Sequence, residues 1–291
     1  MTLSSRITAC TLTALSLTTA ASANWFFATS EVGITAEVVG NNRVEGIGPN
    51  RTYRLWAVLP DAWRLDAVAG NSQVSLNIAP VNGTFYQNPY GGATSKDVAS
   101  GFFAIVPSLE WDSFVSIGAL DSTGTSAPGG ENSLGNIGID WTDFESEGGA
   151  VTSTNGSWFI LPIAGQGQSM GFTDACTRQG NGVLLGQFTV MGDDASITGS
   201  VLLQGQNDLG STWQAWIEDF AVDADGVCDA IPPVQCAADV SGDSRVDVMD
   251  LMMVLERWDD GGCADVSGDA RMSVDDLLVV CDSWGTCGVT E

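Results

Sequence analysis

One pattern is written twice near the end of this chain, and it constrains folding more than any other stretch. Asp239-Val-Ser-Gly-Asp-Ser-Arg-Val-Asp-Val-Met-Asp250 runs into Leu251, and Asp265-Val-Ser-Gly-Asp-Ala-Arg-Met-Ser-Val-Asp-Asp276 runs into Leu277, with every equivalent pair 26 residues apart. Each copy carries acidic or hydroxyl side chains at positions 1, 3, 5, 9 and 12 of a 12-residue loop. A hard cation such as Ca²⁺ takes oxygen ligands from such positions, together with the backbone carbonyl of position 7. The first set is therefore Asp239, Ser241, Asp243, the carbonyl of Arg245, Asp247 and Asp250. The second is Asp265, Ser267, Asp269, the carbonyl of Arg271, Ser273 and Asp276. Two Ca²⁺ ions are the expected cofactors. Val246 and Met272 at position 8 are apolar, which suits pairing of the two loops through their backbones. Leu251, Val254, Leu255 and Trp258 recur as Leu277, Val280, Cys281 and Trp284, at i, i+3, i+4 and i+7. That spacing predicts one buried stripe on each of two short helices. Acidic loops that merely cap helices and face solvent would explain single Asp residues, but not the doubled register.

The totals narrow the rest. With 291 residues, 44% of them apolar, the chain can bury one sizeable core and a small second one. The formal charge is −26 with only ten basic residues, a surface that repels nucleic acid and anionic lipid and argues against both as partners. Histidine is absent, which removes Ser-His-Asp and Cys-His nucleophilic catalysis and imidazole zinc sites. Any catalysis would rest on carboxylates, Tyr, Cys or a metal.

Residues 1–23 read as a secretory signal: Arg6 is the basic start, Ile7 to Ala20 are moderately apolar, and Ala21-Ser22-Ala23 fits a small-x-small cleavage site. No other run approaches a transmembrane length. The expectation is an exported protein, extracellular or held at the cell surface. Removing Cys10 leaves Cys176, Cys228, Cys236, Cys263, Cys281 and Cys287, an even set that suits disulfides in an oxidising compartment. Most fall after residue 227, where a module of this size has a thin core. Cys236–Cys263 and Cys176–Cys228 are the favoured pairs, and Cys281 is either a core thiol or half of a short bridge to Cys287.

From Asn24 to Val222 the text is short apolar runs separated by Gly, Asn, Asp, Ser and Pro. Tyr53–Leu59, Phe114–Leu120, Ser157–Leu161, Val183–Val190, Ile197–Leu203 and Thr212–Ile217 alternate or run apolar at strand length. The predicted fold class is mainly β: an antiparallel β-sandwich over 24–222, then a linker over 223–235 stiffened by Pro232-Pro233, then a small α-helical calcium module over 236–291. Two long Gly-rich loops, 88–95 and 121–138, are places where either binding or tolerated insertion occurs.

The richest carboxylate cluster in the large domain is Asp140, Asp143, Glu145 and Glu147, with Glu110 and Asp112 flanking Trp111. Two carboxyls about 5 Å or about 6.5–9.5 Å apart are what glycoside hydrolysis needs, and a chain with 36 acidic residues also produces clusters by chance. Trp56, Trp63, Trp111, Trp141, Trp158, Trp213 and Trp216, with Tyr86 and Tyr90, could include a sugar-stacking platform, although rings inside strand runs more often pack a core. Tyr90 beside Gly91-Gly92, and Trp63 after Pro60-Asp61, are the ones expected at the surface.

The paired loops, the Leu after each position 12 and the duplication together resemble a type I dockerin domain, the two-loop calcium module by which secreted bacterial enzymes attach to cohesin domains. The resemblance covers about the last 50 residues and implies antiparallel paired helices, each preceded by a Ca²⁺ loop, and a cohesin-like protein partner. The chain departs from that pattern at position 6, where Ser244 and Ala270 replace the usual Gly at a cost of about 1 kcal/mol. Position 3 is Ser, and Val248-Met249 differs from Val274-Asp275, so weak, unequal sites and a one-way binding mode are expected. Tyr53-Arg-Leu-Trp-Ala-Val58, Phe85-Tyr-Gln-Asn88 and Leu109-Glu-Trp-Asp-Ser-Phe-Val-Ser-Ile-Gly118 resemble segments of an uncharacterised group of secreted marine microbial proteins, which implies export and a β-rich fold. The expected function is a β-sandwich, carbohydrate-binding, adhesive or structural, attached through a calcium-dependent tail; the alternative is a polysaccharide-degrading glycoside hydrolase.

Overall fold

The computed structural model describes residues 26–27, 31–173, 179–194, 196–222, 238–240, 245–256, 266 and 273–286. The signal segment, the linker and every mature cysteine except Cys281 lie outside these residues, so the readings placed on them stay with the sequence.

The chain is mainly β. In order come β1 (Phe26–Phe27), β2 (Gly33–Asn41), β3 (Asn50–Val58), β4 (Arg64–Ala69), β5 (Leu76–Val81), β6 (Thr84–Phe85) and β7 (Phe114–Val115). Then follow β8 (Gly135–Ile137), the short helix α1 (Thr142–Glu147), β9 (Val151–Ser153), β10 (Ser157–Phe159), β11 (Met170–Thr173), β12 (Gln179–Met191), β13 (Ser196–Gln206) and β14 (Thr212–Val222). The tail adds β15 (Arg245–Val246), α2 (Val248–Glu256), α3 (Val274–Asp282) and β16 (Gly285–Thr286). Among the described residues no helix is long and apolar enough to cross a membrane.

Two sheets carry the large domain. The first runs β1-β14-β13-β4-β10-β8, and β13 splits its length: Leu202–Gln206 pair with β4, while Ser196–Ser200 pair with β5, which also pairs β9. The second runs β11-β12-β3-β2, with β6 and β7 added along β12. All pairs are antiparallel except β1, which lies parallel to β14. One shared core lies between them: Leu65, Val68, Trp158, Val201, Leu203 and Trp213 from the first sheet meet Ile34, Tyr53, Leu55, Val183, Leu185 and Phe188 from the second. This is the sandwich arrangement, in which period-2 runs present one face to the core. On β12 the inward positions pass from Val183 and Leu185 to Phe188 and Val190, and the change of phase falls at a bulge between Leu184 and Gly186. An extra residue in one strand has this consequence.

The sheets are also joined by polar bonds. Trp158, fully buried on β10, donates its indole N–H to the Ser116 carbonyl beside β7 (2.9 Å). Val115, Ile117 and Ala119 are buried as the alternation predicts, but so are Ser116 and Gly118, because this segment passes through the interior after only two residues of strand. The two long loops are knit to it. Asn132 donates to Ser95 Oγ and the Asp121 carbonyl, Ser116 Oγ donates to Ser95 Oγ, and buried Gln166 binds the Ile117 carbonyl and the Ser133 amide. Loop 121–138 is interrupted by β8.

Candidate functional site

The tail repeats in three dimensions what it repeats in sequence. α2 and α3 are nine residues each and start 26 residues apart. Asp250 and Asp276, at position 12 of each loop, are fully buried. Asp250 Oδ2 accepts the Asp247 N–H at 2.7 Å, and Asp276 Oδ2 accepts the Ser273 N–H at 2.7 Å. In return the Asp247 carboxylate accepts from the Met249 amide and the Ser273 hydroxyl oxygen from the Asp275 amide, which is the reciprocal arrangement of a capping box. Each Asp therefore caps a helix, as an acidic loop without cation also would, but it does so buried instead of in solvent. A carboxylate has about four acceptor sites, so one cap does not exhaust it.

Of the sequence-assigned oxygen ligands, Asp239, Arg245, Asp247, Asp250, Ser273 and Asp276 are described; Ser241, Asp243, Asp265, Ser267, Asp269 and Arg271 are not. Asp239 is buried, packed beside Ala238 and Val240 of the tail core. Among the described residues no group of three or more acidic or cysteine side chains is placed to hold a metal. The residues present fit a hard cation in chemistry: oxygen donors, three of them the buried carboxylates of Asp239, Asp250 and Asp276.

One expectation about the tail is corrected. The buried stripe is centred on Val254 and Val280, with Leu251, Met253, Leu277 and Val279 packed against it, while Leu255, Cys281 and Trp284 are exposed. The buried carboxylate at position 12 turns each helix, so the inward set becomes i, i+1, i+3 and i+4 from the Asp. Cys281 is accordingly no core thiol. Val246 pairs with Gly285, and Arg245 with Thr286; Met272, the expected partner of Val246, lies outside the described residues.

In the sandwich the predicted acidic cluster comes apart. Asp140, Asp143, Glu147 and Glu110 are exposed. Asp140 accepts the Thr142 amide (3.0 Å), and the hydroxyl and amide of Thr142 hold it below the usual carboxylate range. Glu145 on α1 is instead half-buried, and its charge acts on Asp112, which is fully buried just after the 3₁₀ turn Pro107–Trp111. Asp112 Oδ1 accepts the Asn88 amide (2.6 Å) and Oδ2 the Gly92 amide (3.2 Å). Burial pushes Asp112 up to about 7; the Asn88 and Gly92 amides pull it down, and the Glu145 carboxylate adds to the rise. Burial likewise raises Glu145, with Asp97 contributing. Asp97 was not singled out in the sequence. The available signal was Gly91-Gly92: a Cβ on Gly91 would overlap Asp112 Oδ2, and one on Gly92 would crowd Asp97.

Most of the aromatic inventory is core. Trp56, Trp158 and Trp213 are buried, and so is Trp63, which was expected at the surface but packs at 5.7 Å from Trp213. Trp56 faces outward yet lies stacked under Phe172 at 5.0 Å. Trp111 lies across Gly40 with Arg43 over its ring. Tyr90 is the exposed ring that was expected, at 69%. Comparison with protein-family models, with curated proteins and with solved structures returned no match for this chain.

Proposed function

We propose that this is an exported protein whose β-sandwich is held to a protein partner by a dockerin-like, calcium-dependent tail. The observation that supports the reading is the equivalence of Asp250 and Asp276: two buried carboxylates, 26 residues apart, each opening a nine-residue helix and each bonded to the amide three residues before it. Chance acidity does not reproduce burial, bond and helix twice. A bound cation would neutralise these carboxylates and the remaining loop oxygens; Asp239, Asp247 and Asp250 would serve the first ion, Ser273 and Asp276 the second, with the undescribed loop residues completing each set. The partner is a cohesin-like domain, and the sandwich acts as a carbohydrate-binding, adhesive or structural unit.

The hydrolase alternative has one observation in its favour, the neighbouring Asp112 and Glu145 with raised proton affinity. Against it, Asp112 is fully buried and both of its oxygens are engaged by backbone amides. The pair is therefore better read as structural. Calorimetric titration of the full chain with Ca²⁺ tests the main reading, with an Asp250→Asn/Asp276→Asn variant alongside. Saturable heat and a gain in thermal midpoint, both lost in the variant, are expected; no heat at millimolar Ca²⁺ ends the calcium claim. A reducing-sugar assay that shows turnover lost in Glu145→Gln would favour the hydrolase.

A further inference from the structure

A polar knot centred on Asn88, 5% exposed, has no part in the attachment function. Asn88 Oδ1 accepts the Tyr90 amide (3.1 Å), which fixes the orientation of the side-chain amide. Its Nδ2 then gives both hydrogens to hydroxyl oxygens, those of Tyr86 and Ser108, each at 2.9 Å. The Asn88 carbonyl accepts the Gly91 amide (2.9 Å), and buried Asp112 accepts the Asn88 amide at 2.6 Å and the Gly92 amide at 3.2 Å. A Cβ on Gly91 would overlap Asp112 Oδ2 and stand 3.3 Å from Leu109 Cδ1, so the strap 88–92 lies flush on the turn Pro107–Trp111. A buried carboxylate costs energy unless it is bonded, and here the strap amides answer it. What these bonds hold out to solvent is Tyr90, 69% exposed, with half-buried Tyr86 and Ser108 tied to it through Asn88.

A hydroxyl carries one donor hydrogen and two acceptor lone pairs. Asn88 occupies the acceptor side of Tyr86 and Ser108, so each keeps its own O–H to donate, and among the described residues neither has an acceptor. An exposed ring beside two oriented hydroxyl donors suits a polyhydroxylated ring. The sugar's C–H face lies on the aromatic face, and its oxygens accept from the hydroxyls. We propose that Tyr90, Tyr86 and Ser108 form a subsite for one residue of an uncharged polysaccharide, with Asn88 and Asp112 as positioning residues. The subsite rests on the carbohydrate-binding reading of the sandwich and gives that reading a place. Its bonds fix the strap before a ligand arrives, so little order is lost on binding. The polymer is uncharged because a chain of formal charge −26 with ten basic residues repels anionic glycans. Phe102 and Ile105 are also exposed, on the segment before Pro107. Their side chains carry no hydrogen-bonding group, and the hydroxyls of Tyr86 and Ser108 set the strap apart from a purely apolar protein contact.

The test is affinity electrophoresis of the full chain through gels holding a mixed-linkage β-glucan, an arabinoxylan, a galactomannan or a sulfated galactan. Retardation by at least one neutral polymer, and none by the sulfated one, is expected. Tyr90→Ala should weaken it by roughly tenfold or more with the thermal midpoint unchanged, since the ring is exposed, while Tyr90→Phe keeps it. Tyr86→Phe and Ser108→Ala each remove one donor and should weaken it by about two- to tenfold. Full binding in Tyr90→Ala places the glycan elsewhere on the sandwich and overturns the subsite alone. No retardation of the wild type by any neutral polymer overturns the subsite and the carbohydrate-binding reading together, and leaves the calcium-dependent tail standing. Stronger retardation by the sulfated polymer overturns the uncharged ligand. Self-association in sedimentation that Tyr90→Ala abolishes, without glycan retardation, makes the ring a protein contact and overturns the subsite too.

Discussion

The sandwich and the tail bury different kinds of side chain. The sandwich closes on Trp158, Trp213, Tyr53, Phe85, Phe144, Phe188 and Phe220, all fully covered. Among the described residues of the tail the covered set is Ala238, Val240, Val246, Val254 and Val280, with Asp239, Asp250 and Asp276 also buried. A buried large aromatic removes about 150–250 Å² from water, worth about 4–6 kcal/mol at about 25 cal/mol per Å², whereas a buried Val is worth about 1.5–3 kcal/mol. An enclosed carboxylate costs energy unless it is paired. The sandwich can stand on apolar burial. The tail encloses two carboxylates among its apolar groups, each held by a helix cap, and the proposed oxygen-ligated cation would add to those bonds.

Four measurements break or sharpen that contrast. Trp158→Ala removes a core ring and leaves the Ser116 carbonyl without its donor; it should cost about 3–5 kcal/mol in chemical denaturation while leaving any Ca²⁺ response intact. Loss of the Ca²⁺ response in that variant would mean that the two regions are energetically one. Asp250→Asn should cost clearly more in Ca²⁺ than in chelator, by about 2 kcal/mol, as read from amide exchange in α2. Equal costs in both buffers would reduce the loops to helix caps.

The third measurement is pH dependence. Asp112, raised by burial to about 7, keeps a proton in the folded state that the unfolded chain releases near its ordinary value. Its contribution therefore falls as pH climbs from the ordinary carboxylate range to about 7, then levels off. Between about pH 5.5 and 7.5 the sandwich should lose about 2 kcal/mol and the tail should not follow. Last, Ser273→Ala removes the hydroxyl that accepts the Asp275 amide and should cost about 1 kcal/mol, with fraying confined to α3.

Much of the fold was legible because strands announce themselves locally. Tyr53-Arg-Leu-Trp-Ala-Val and Thr212-Trp-Gln-Ala-Trp-Ile fall within β3 and β14, since alternation at period 2 and a buried face are the same fact. Trp63 misled because a turn residue in sequence, after Pro60-Asp61, can still reach a neighbouring ring in space. Leu255 and Trp284 misled because a helical period gives the spacing of a stripe and not its rotation, which the buried Asp250 and Asp276 set.

The sequence by itself determined the β character, the absence of imidazole chemistry and the duplication, because composition, period and repeat are properties of the chain read along its length. Only the tertiary structure decided that Asp112 is buried and that Glu145, 33 residues away in sequence, is half-covered, while Asp140 and Asp143 stay exposed. It also decided that the position-12 carboxylates turn inward. Burial and charge–charge distance depend on which segments pack together, and no local spacing encodes that.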